Sequence, residues 1–393
     1  AAQAAEPCTV RNPLQAGGPA AMLACLQALG ARPVPFRPGE GALRFEPAAL
    51  RAPAAALDCR GAGTALRLLA ATAARLGPPA LLTGDASLRA RPNGPLLDAL
   101  RSLGAQAGSS DGRAPLRVRG PLRSGAVRLP ARCSSQFASA LLLSLPFVAG
   151  DSTVALEAPV ASRPYLDVTL QAARHAGLRI EPEGDVFHVP GGQAVTARVL
   201  AVEGDWSSAA FPLAAAAATG GAVRVTGLDP RSVQGDRAIV PLLRFFGARV
   251  QEHDDGASCT GGPLASPGPI DVAATPDLFP ILAVVAAASH GTTTFTGGAG
   301  LRGKESDRIA AMAHGLARMG VAVRERPDGL VVTGGALRGA RVACRGDHRI
   351  HMAFAVAGLA AQGETVVEDA ASAAASYPSF HVDLARLGAL GAA

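Results

Sequence analysis

The chain has almost no lysine: 36 of its 37 basic residues are arginines, and the single lysine is Lys304. A genome rich in G and C explains most of this bias, because it favours arginine, alanine, glycine and proline codons. Arginine nevertheless serves at most positions that need a cation. We therefore predict that Lys304 occupies a position where a compact ammonium, rather than a planar guanidinium, is required.

Aromatic residues are also scarce, with one tryptophan and two tyrosines. Nucleic-acid-binding proteins combine basic stretches with aromatic side chains on which bases stack, whereas the arginines here are scattered. The net charge of +6 therefore indicates a small anionic ligand. A nucleic-acid-binding ring of repeats is the most distant alternative, and it would bind DNA with a steep salt dependence.

The sequence lacks an apolar run long enough to predict a membrane-spanning helix. Its six cysteines are widely spaced and include no CxxC pair, which excludes common zinc and redox motifs and favours free thiols in a reducing compartment. The first residues contain no charged segment followed by an apolar core, so they predict no signal peptide. We expect a cytoplasmic protein that is a monomer.

Apolar residues make up 49% of the 393 residues and charged residues 17%, which is enough for two or three domains with large cores. One pattern recurs six times: a short amphipathic helix, a glycine, and a β-prone segment. A glycine after a helix is common, but six at intervals of 68 to 74 residues indicate six copies of one unit. These glycines are Gly30, Gly104, Gly177, Gly247, Gly320 and Gly388.

Each copy also contains short strands rich in valine and threonine and a second, almost wholly apolar helix, such as residues 278–288. A helix that is apolar on all sides is buried on all sides. The prediction is an α/β (α+β) protein with helices inside and sheets outside. Six copies divide into two domains of three, residues 1–231 and 232–393, with a hinge in the turn-rich segment Gly227 to Asp236.

Polar motifs stand where loops enter several of the apolar helices. Each has a structural interpretation, because Asp and Ser cap helices, charged residues solvate helix starts and Gly-rich segments form turns. The functional interpretation is a cleft lined by helix N-termini and arginines, which would hold a polyanion. Asp277 is half-desolvated at the mouth of a buried helix, which would raise its pKa and make it a base. The motifs are GAGT (61–64), RARP (89–92), RCSSQF (132–137), TPDLFP (275–280), LRGKESDR (301–308) and GDHR (346–349).

These segments resemble the family of 5-enolpyruvylshikimate-3-phosphate synthases, the enolpyruvyl transferases of the shikimate pathway. The resemblance runs through almost the whole chain and implies that family's fold, a two-domain inside-out α/β barrel of six βαβαββ repeats, three per domain. Further segments that carry it are LDCRGAGTALRLLAA, SRPYLDVTL, VEGDWSSAAFPLAAAA and QGDR.

The resemblance implies transfer of the enolpyruvyl group of phosphoenolpyruvate to the 5-hydroxyl of shikimate 3-phosphate, with release of phosphate and with no metal or organic cofactor. It implies that Asp277 is the base near the hydroxyl, that Glu305 protonates and later deprotonates the methylene carbon, and that Lys304 contacts shikimate 3-phosphate. The residues that it implies for phosphoenolpyruvate are Gly63, Arg91, Gln136, Arg308 and Arg349. Those for shikimate 3-phosphate are Ser134, Ser135, Gln136, Ser162 and Tyr165, together with Asp277 and Lys304.

Two departures from the family pattern leave alternatives open. The family's N-terminal Lys-Ser-x-x-x-Arg motif, in a segment that also supplies a strand to the C-terminal domain, has no counterpart here, and Ala375 stands at the position of a phosphoenolpyruvate-binding lysine. One alternative is a truncated or divergent inactive relative that only binds anions. The other is a UDP-N-acetylglucosamine enolpyruvyl transferase, although that enzyme's loop cysteine is absent.

Overall fold

The structure is a computed structural model that describes residues 1–35, 41–130, 134–158 and 162–388. Its contacts divide the chain into two compact units, Ala1–Val202 and Glu203–Ala393. Within the described residues, every helix is too short or too polar to cross a lipid bilayer.

The first unit alternates helices and short strands. Its elements are β1 (Cys8–Arg11), α1 (Gly17–Ala28), β2 (Arg32–Pro35), β3 (Ala42–Glu46), β4 (Leu57–Asp58), α2 (Gly63–Leu76), β5 (Ala80–Thr83), α3 (Ala86–Arg89), α4 (Gly94–Ser102), β6 (Gln106–Gly108), β7 (Leu116–Arg119), β8 (Ala126–Leu129), α5 (Ser135–Leu142), β9 (Ser152–Leu156), α6 (Pro164–His175), β10 (Glu181–Glu183), β11 (Val186–Val189) and β12 (Val199–Ala201).

The second unit continues the same alternation, with short 3-10 turns at Gly235–Ala238, Pro276–Leu278, Ala299–Gly303 and Ala370–Ala375. Its helices and strands are α7 (Trp206–Thr219), β13 (Ala222–Thr226), α8 (Ile239–Phe245), β14 (Arg249–His253), β15 (Gly256–Thr260), β16 (Pro269–Asp271), α9 (Phe279–Ala287), β17 (Thr292–Thr296), α10 (Arg308–Arg318), β18 (Ala322–Arg326), β19 (Gly329–Thr333), β20 (Arg341–Val342), α11 (His348–Ala360), β21 (Val366–Val367) and α12 (Phe380–Arg386).

The sheets show the predicted repeat. In each four-stranded sheet, two parallel strands lie side by side, and the second pairs antiparallel with the last strand of a hairpin. The sheet β13-β15-β14 has the antiparallel half of this pattern, and β20-β21 has the parallel half. The four-stranded sheets are β4-β5-β7-β6, β8-β9-β11-β10, β12-β1-β3-β2 and β16-β17-β19-β18.

All six glycines that define the repeat have positive φ, between +71° and +99°. Each lies two residues beyond the end of a helix, at α1, α4, α6, α8, α10 and α12. The left-handed conformation closes the helix and is available to glycine without a steric cost. The periodic glycines therefore have the conformation that the sequence pattern predicts.

The apolar helices lie inside their units, as predicted. Every residue of α9 is buried, and so are eleven of the fourteen residues of α7. Strands such as β7 and β8 instead alternate buried and exposed residues, as expected of a sheet with one face toward a core. The α/β fold class with buried helices agrees with the sequence prediction.

The compact units divide between Val202 and Glu203, upstream of the boundary that the sequence predicts at 231/232. β12 pairs with β1 and belongs to the first unit. The next helix, α7, packs against β13, α9 and α11 of the second unit. Strand pairing and helix packing thus place the division between the compact units before α7 rather than in the Gly/Pro/Asp-rich segment after β13. The assignment of 1–231 and 232–393 as domains stays a prediction.

Candidate active site

In the first unit, three of the predicted phosphoenolpyruvate-binding residues lie together. Gly63 begins α2, and a Cβ built on it would lie 3.2 Å from Arg91 Nη1 and 3.7 Å from Gln136 Oε1. Gln136 is in the first turn of α5, which packs against α2. The bare backbone of Gly63 therefore permits the close approach of the two side chains.

Arg67 joins these residues, although none of the sequence motifs pointed to it. Its side chain is on the second turn of α2 and is 8% exposed. Nε donates to Asn93 Oδ1 over 3.1 Å, and Nη1 donates to Gln136 Oε1 over 2.5 Å and to Ser134 Oγ over 3.4 Å. The sequence did contain one signal for Arg67: it is an arginine inside an apolar helix, three residues after the GAGT motif. The residues Arg67, Arg91, Asn93, Ser134 and Gln136 are called the arginine cluster below.

The hydrogen bonds of the arginine cluster determine the orientation of the side-chain amide of Gln136. Because Gln136 Oε1 accepts from Arg67, the Nε2 group of Gln136 is available as a donor. Asn93 likewise accepts from Arg67 and donates through Nδ2 to the backbone oxygen of Arg91 over 3.0 Å. The arrangement presents N–H groups and positive charge, which suits an anionic ligand.

The predicted shikimate-3-phosphate residues of this unit lie at the starts of α5 and α6. Ser134 caps α5 by accepting from the Gln136 N–H over 3.4 Å, and Ser135 is buried in the first turn. Ser162 has φ of +57°, and its backbone oxygen accepts from the Tyr165 N–H over 3.1 Å. Arg132 and Cys133 of the RCSSQF motif lie outside the described residues.

In the second unit, the predicted catalytic residues lie in one cluster of charged side chains. Helix α10 begins at Arg308 and is capped by Asp307, which accepts from Ala310 N over 3.0 Å. Lys304 and Glu305 therefore lie before this helix rather than in its first turn. The residues Asp277, Lys304, Glu305, Arg308, Asp347 and Arg349 are called the carboxylate–arginine cluster below.

Arg308 is at the centre of this cluster, with its side chain only 1% exposed. Nε donates to Asp347 Oδ2 over 2.8 Å, Nη1 to Asp277 Oδ1 over 2.7 Å, and Nη2 to Glu305 Oε2 over 2.7 Å. Burial alone would lower the pKa of the guanidinium, but these three carboxylates outweigh burial and raise it. The planar guanidinium of Arg308 thereby holds Asp277 and Glu305, the two predicted proton-transfer groups, in fixed positions.

Asp277 is in contact with three cations. Its Oδ1 lies 2.7 Å from Arg308 Nη1 and 3.4 Å from Lys304 Nζ, and its Oδ2 lies 3.3 Å from Arg349 Nη2. Asp277 is in the 3-10 turn before α9, and the N-cap residue of α9 is Leu278, with no side-chain cap. The capping interpretation of Asp277 is therefore wrong for α9.

The GDHR motif begins α11 with a polar turn. Asp347 caps the helix by accepting from the Arg349 N–H over 3.0 Å. Burial would raise the pKa of Asp347, but the charge and hydrogen bonds of Arg308 outweigh it and lower the pKa. Burial, followed by the charges of Arg349 and Arg308, lowers the pKa of His348 to about 4. His348, which the sequence analysis did not single out, is thus a neutral imidazole at neutral pH.

The predicted site residues thus form two groups, one in each unit. Among the described residues, no three His, Cys, Asp or Glu side chains lie close enough together to hold a metal ion. The groups that these two clusters present are carboxylates, arginines, one lysine and helix N-termini.

Comparison with known proteins agrees with this chemistry. The family model for EPSP synthase (3-phosphoshikimate 1-carboxyvinyltransferase) matches residues 1–384. A protein of Methanocorpusculum labreanum with the name 3-phosphoshikimate 1-carboxyvinyltransferase is 42% identical over 384 residues, which are 97% of this chain and 90% of that protein. A protein of the same name from Methanothrix thermoacetophila is 45% identical over 383 residues, with the same shares of both chains.

Comparison with solved structures finds the same family. A solved structure of EPSP synthase from Acinetobacter baumannii superposes with a TM-score of 0.80 at 29% identity, covering 98% of this chain and 90% of the other. That fold is the two-domain inside-out α/β arrangement that the resemblance implied. Sequence, fold and site chemistry agree, and this chain belongs to the EPSP synthase family.

Proposed function

We propose that this chain transfers the enolpyruvyl group of phosphoenolpyruvate to the 5-hydroxyl of shikimate 3-phosphate and releases inorganic phosphate. The observation that carries the proposal is the carboxylate–arginine cluster, in which one buried arginine holds both Asp277 and Glu305 in a chain of this family. Location in the cytoplasm and a monomeric state stay predictions.

The reaction needs one base and one acid at different atoms. Asp277 accepts the proton of the 5-hydroxyl as its oxygen attacks C2 of phosphoenolpyruvate, while Glu305 in its protonated form donates a proton to C3. The tetrahedral intermediate then loses phosphate from C2, and Glu305 takes a proton back from C3 to restore the double bond. Lys304 and Arg349, each within 3.4 Å of Asp277, supply positive charge for the substrate anions.

The arginine cluster supports the same proposal, because both substrates are anions. Gly63, Arg91 and Gln136 are assigned to phosphoenolpyruvate, and the starts of α5 and α6 to shikimate 3-phosphate. Helix N-termini and arginines bind phosphate and carboxylate groups through N–H donors and charge. The further assignments are Ser134, Ser135, Ser162 and Tyr165 to shikimate 3-phosphate, and Arg308 and Arg349 to phosphoenolpyruvate.

Phosphate release by the purified 393-residue chain tests this function. We expect release that requires phosphoenolpyruvate and shikimate 3-phosphate together, with none when shikimate replaces its 3-phosphate. Release with UDP-N-acetylglucosamine instead would assign the chain to the other enolpyruvyl transferase. Absence of turnover, with activity gained by Ala375→Lys but not by Ala374→Lys, would identify an inactive relative that has lost a substrate-binding cation.

Arg67 provides a more specific prediction for the arginine cluster. We expect Arg67→Lys to lower kcat/KM for phosphoenolpyruvate by about 10- to 100-fold, because an ammonium cannot donate to Asn93 and Gln136 with the geometry of a guanidinium. A lost charge-assisted hydrogen bond corresponds to about 1.5–3 kcal/mol, and about 1.4 kcal/mol is tenfold. Steady-state phosphate release measures the effect. The exposed Arg101 of α4 supplies the control Arg101→Lys, and equal kinetics of the two variants would contradict the role of Arg67.

A further inference from the structure

Asp236 is a buried carboxylate to which neither the sequence motifs nor the proposed mechanism gives a role. It lies in the 3-10 turn Gly235–Ala238, within the QGDR segment, and is 5% exposed. Oδ2 accepts from Ser207 Oγ over 2.6 Å, whereas Oδ1 has no hydrogen-bond partner among the described residues. Burial of a carboxylate oxygen without a hydrogen-bond donor costs free energy, because its lost hydrogen bonds to water are not replaced.

The turn that carries Asp236 is held firmly against the start of α7. Gln234 Nε2 donates to the backbone oxygen of Gly204 over 2.8 Å, and Gln234 Oε1 accepts from the Trp206 N–H over 3.0 Å. The Trp206 indole donates to the backbone oxygen of Asp229 over 3.0 Å. The position of the carboxylate is therefore fixed by the fold rather than by its own hydrogen bonds.

Ser207 connects Asp236 to Arg349. The single hydroxyl proton of Ser207 is donated to Asp236, so Ser207 Oγ accepts from Arg349 Nη1. The other terminal nitrogen of Arg349, Nη2, lies 3.3 Å from Asp277 Oδ2. Asp236 thus sets the direction of the Ser207 hydroxyl, and this hydroxyl helps to hold the guanidinium of Arg349 beside the predicted base.

Burial, together with the neighbouring carboxylates, favours the neutral form of Asp236. The groups that face it are Asp277 before α9, Arg349 on α11, and Ser207 and Asp205 at the start of α7. On its own turn, Arg237 instead pairs with Glu252 of β14 over 2.6 Å. Burial, followed by the charge of Asp277, raises the pKa of Asp236 to about 6, against the lowering effect of Arg349 and Ser207.

We propose that Asp236 is a positioning residue for Arg349 and that it takes up a proton when an anion binds at Arg349. The nature of the anion, phosphoenolpyruvate, rests on the proposed function. A bound phosphate or carboxylate offsets the positive charge of Arg349, which is the main group that favours ionised Asp236. The proton comes from solvent, and the neutral carboxyl removes one negative charge from a site that must accept an anion.

Calorimetric titration of phosphoenolpyruvate, with shikimate in place of shikimate 3-phosphate so that no turnover takes place, tests the proton uptake. Buffers that differ in ionisation enthalpy report the number of protons taken up on binding. A rise of one unit in the pKa of Asp236 corresponds to an uptake of about half a proton near pH 6.5. We expect the wild type to take up about half a proton more than Asp236→Asn when the ligand binds. The control is Asp255→Asn, which changes an exposed carboxylate paired with Arg224, and its proton uptake should equal that of the wild type. Equal uptake by wild type and Asp236→Asn would overturn the inference.

Kinetics give a second readout that a purely structural role would not change. The KM of the wild type for phosphoenolpyruvate is expected to rise by about tenfold between pH 5.5 and pH 8 through the ionisation of Asp236 alone. The limit is tenfold because the pKa of Asp236 differs by about one unit between the free and the bound protein. Asp236→Asn should lose this part of the pH dependence with little change in kcat. Ser207→Ala should raise KM at all pH values, since it removes the link to Arg349.

A measurement without substrate separates this inference from the proposed function. A carboxyl whose pKa is higher in the folded than in the unfolded protein contributes stability at low pH, and this contribution is lost as the pH rises through about 4 to 6. Asp236→Asn should therefore gain thermal stability relative to the wild type from pH 4 to pH 7. If the phosphate-release assay contradicts the proposed function, proton uptake is measured with inorganic phosphate as the only ligand. Equal uptake by wild type and Asp236→Asn then overturns the inference as well.

Discussion

Glu305→Gln lowers kcat for phosphate release by about 10²- to 10⁴-fold, the range that a positioned general acid contributes. Glutamine keeps an oxygen that accepts from Arg308, which lies 2.7 Å from Glu305 Oε2, but it carries no proton that can be transferred to carbon. The loss is therefore chemical rather than structural. Stopped assays of phosphate release over a range of substrate concentrations separate this loss in kcat from a change in KM.

Hydrogen exchange at C3 of phosphoenolpyruvate identifies the step that Glu305 performs. In D₂O, with shikimate 3-phosphate present, the wild type should introduce deuterium into the methylene group whenever the intermediate reverts with loss of H rather than D from its methyl group. Glu305→Gln should lose this exchange together with turnover. Glu325, which pairs with Arg302 and is exposed, supplies the control Glu325→Gln with full activity. Deuterium exchange at the wild-type rate in Glu305→Gln would rule out Glu305 as the acid.

Arg308→Met destabilises the second unit by about 3–5 kcal/mol at pH 7, because removal of one partner of a buried ion pair leaves an uncompensated charge. Asp347, which is fully buried, loses the donors Nε and Nη2 of Arg308. The free energy of unfolding in urea, followed by hydrogen exchange of the amides of α10 and α11, measures the loss. Arg224→Met is the control: this exposed arginine pairs with Asp255, and surface pairs contribute about 0–1 kcal/mol.

The pH dependence of Arg308→Met distinguishes an electrostatic loss from a packing loss. In the wild type the pKa of Asp347 is lower than in the unfolded chain, so the pair stabilises the fold above about pH 4 and this contribution fades as the pH falls through the folded value. The difference between wild type and Arg308→Met should therefore shrink toward low pH. Asp347→Asn added to Arg308→Met should recover part of the loss at pH 7. A pH-independent difference would show that Arg308 acts through packing alone.

Local patterns in the sequence predicted most of the fold. The glycines from Gly30 to Gly388 recur at the ends of helices because the left-handed turn there is a local property of the backbone. The apolar composition of α7 and α9 predicted buried helices because an all-apolar helix has no face that suits water. Both signals depend on neighbours in sequence, so no tertiary information was needed to find them.

Local sequence patterns did not predict where the chain divides into compact units, nor which buried residues link the members of each cluster. The Gly/Pro/Asp-rich segment Gly227 to Asp236 has the composition of a hinge, whereas the contacts divide the chain before Glu203, with β12 paired to β1 and α7 packed in the second unit. Asp236 resembles a surface residue in the sequence, and the apolar surroundings of Arg67 do not show which groups it contacts. The partners of both residues become visible only when α5 meets α2 and when α11 brings Arg349 to Ser207.

The sequence by itself thus determined the repeat, the buried helices, the family and the residue types that carry the chemistry, because periodicity and motifs are local. Only the tertiary structure decided which charges neutralise one another. A guanidinium has several donors and selects its partners by geometry, so the assignment of Arg308 to Asp277, Glu305 and Asp347 required three loops from distant parts of the second unit to meet. The same packing buried Asp236 beside Asp277 and Arg349, which no spacing in the sequence records.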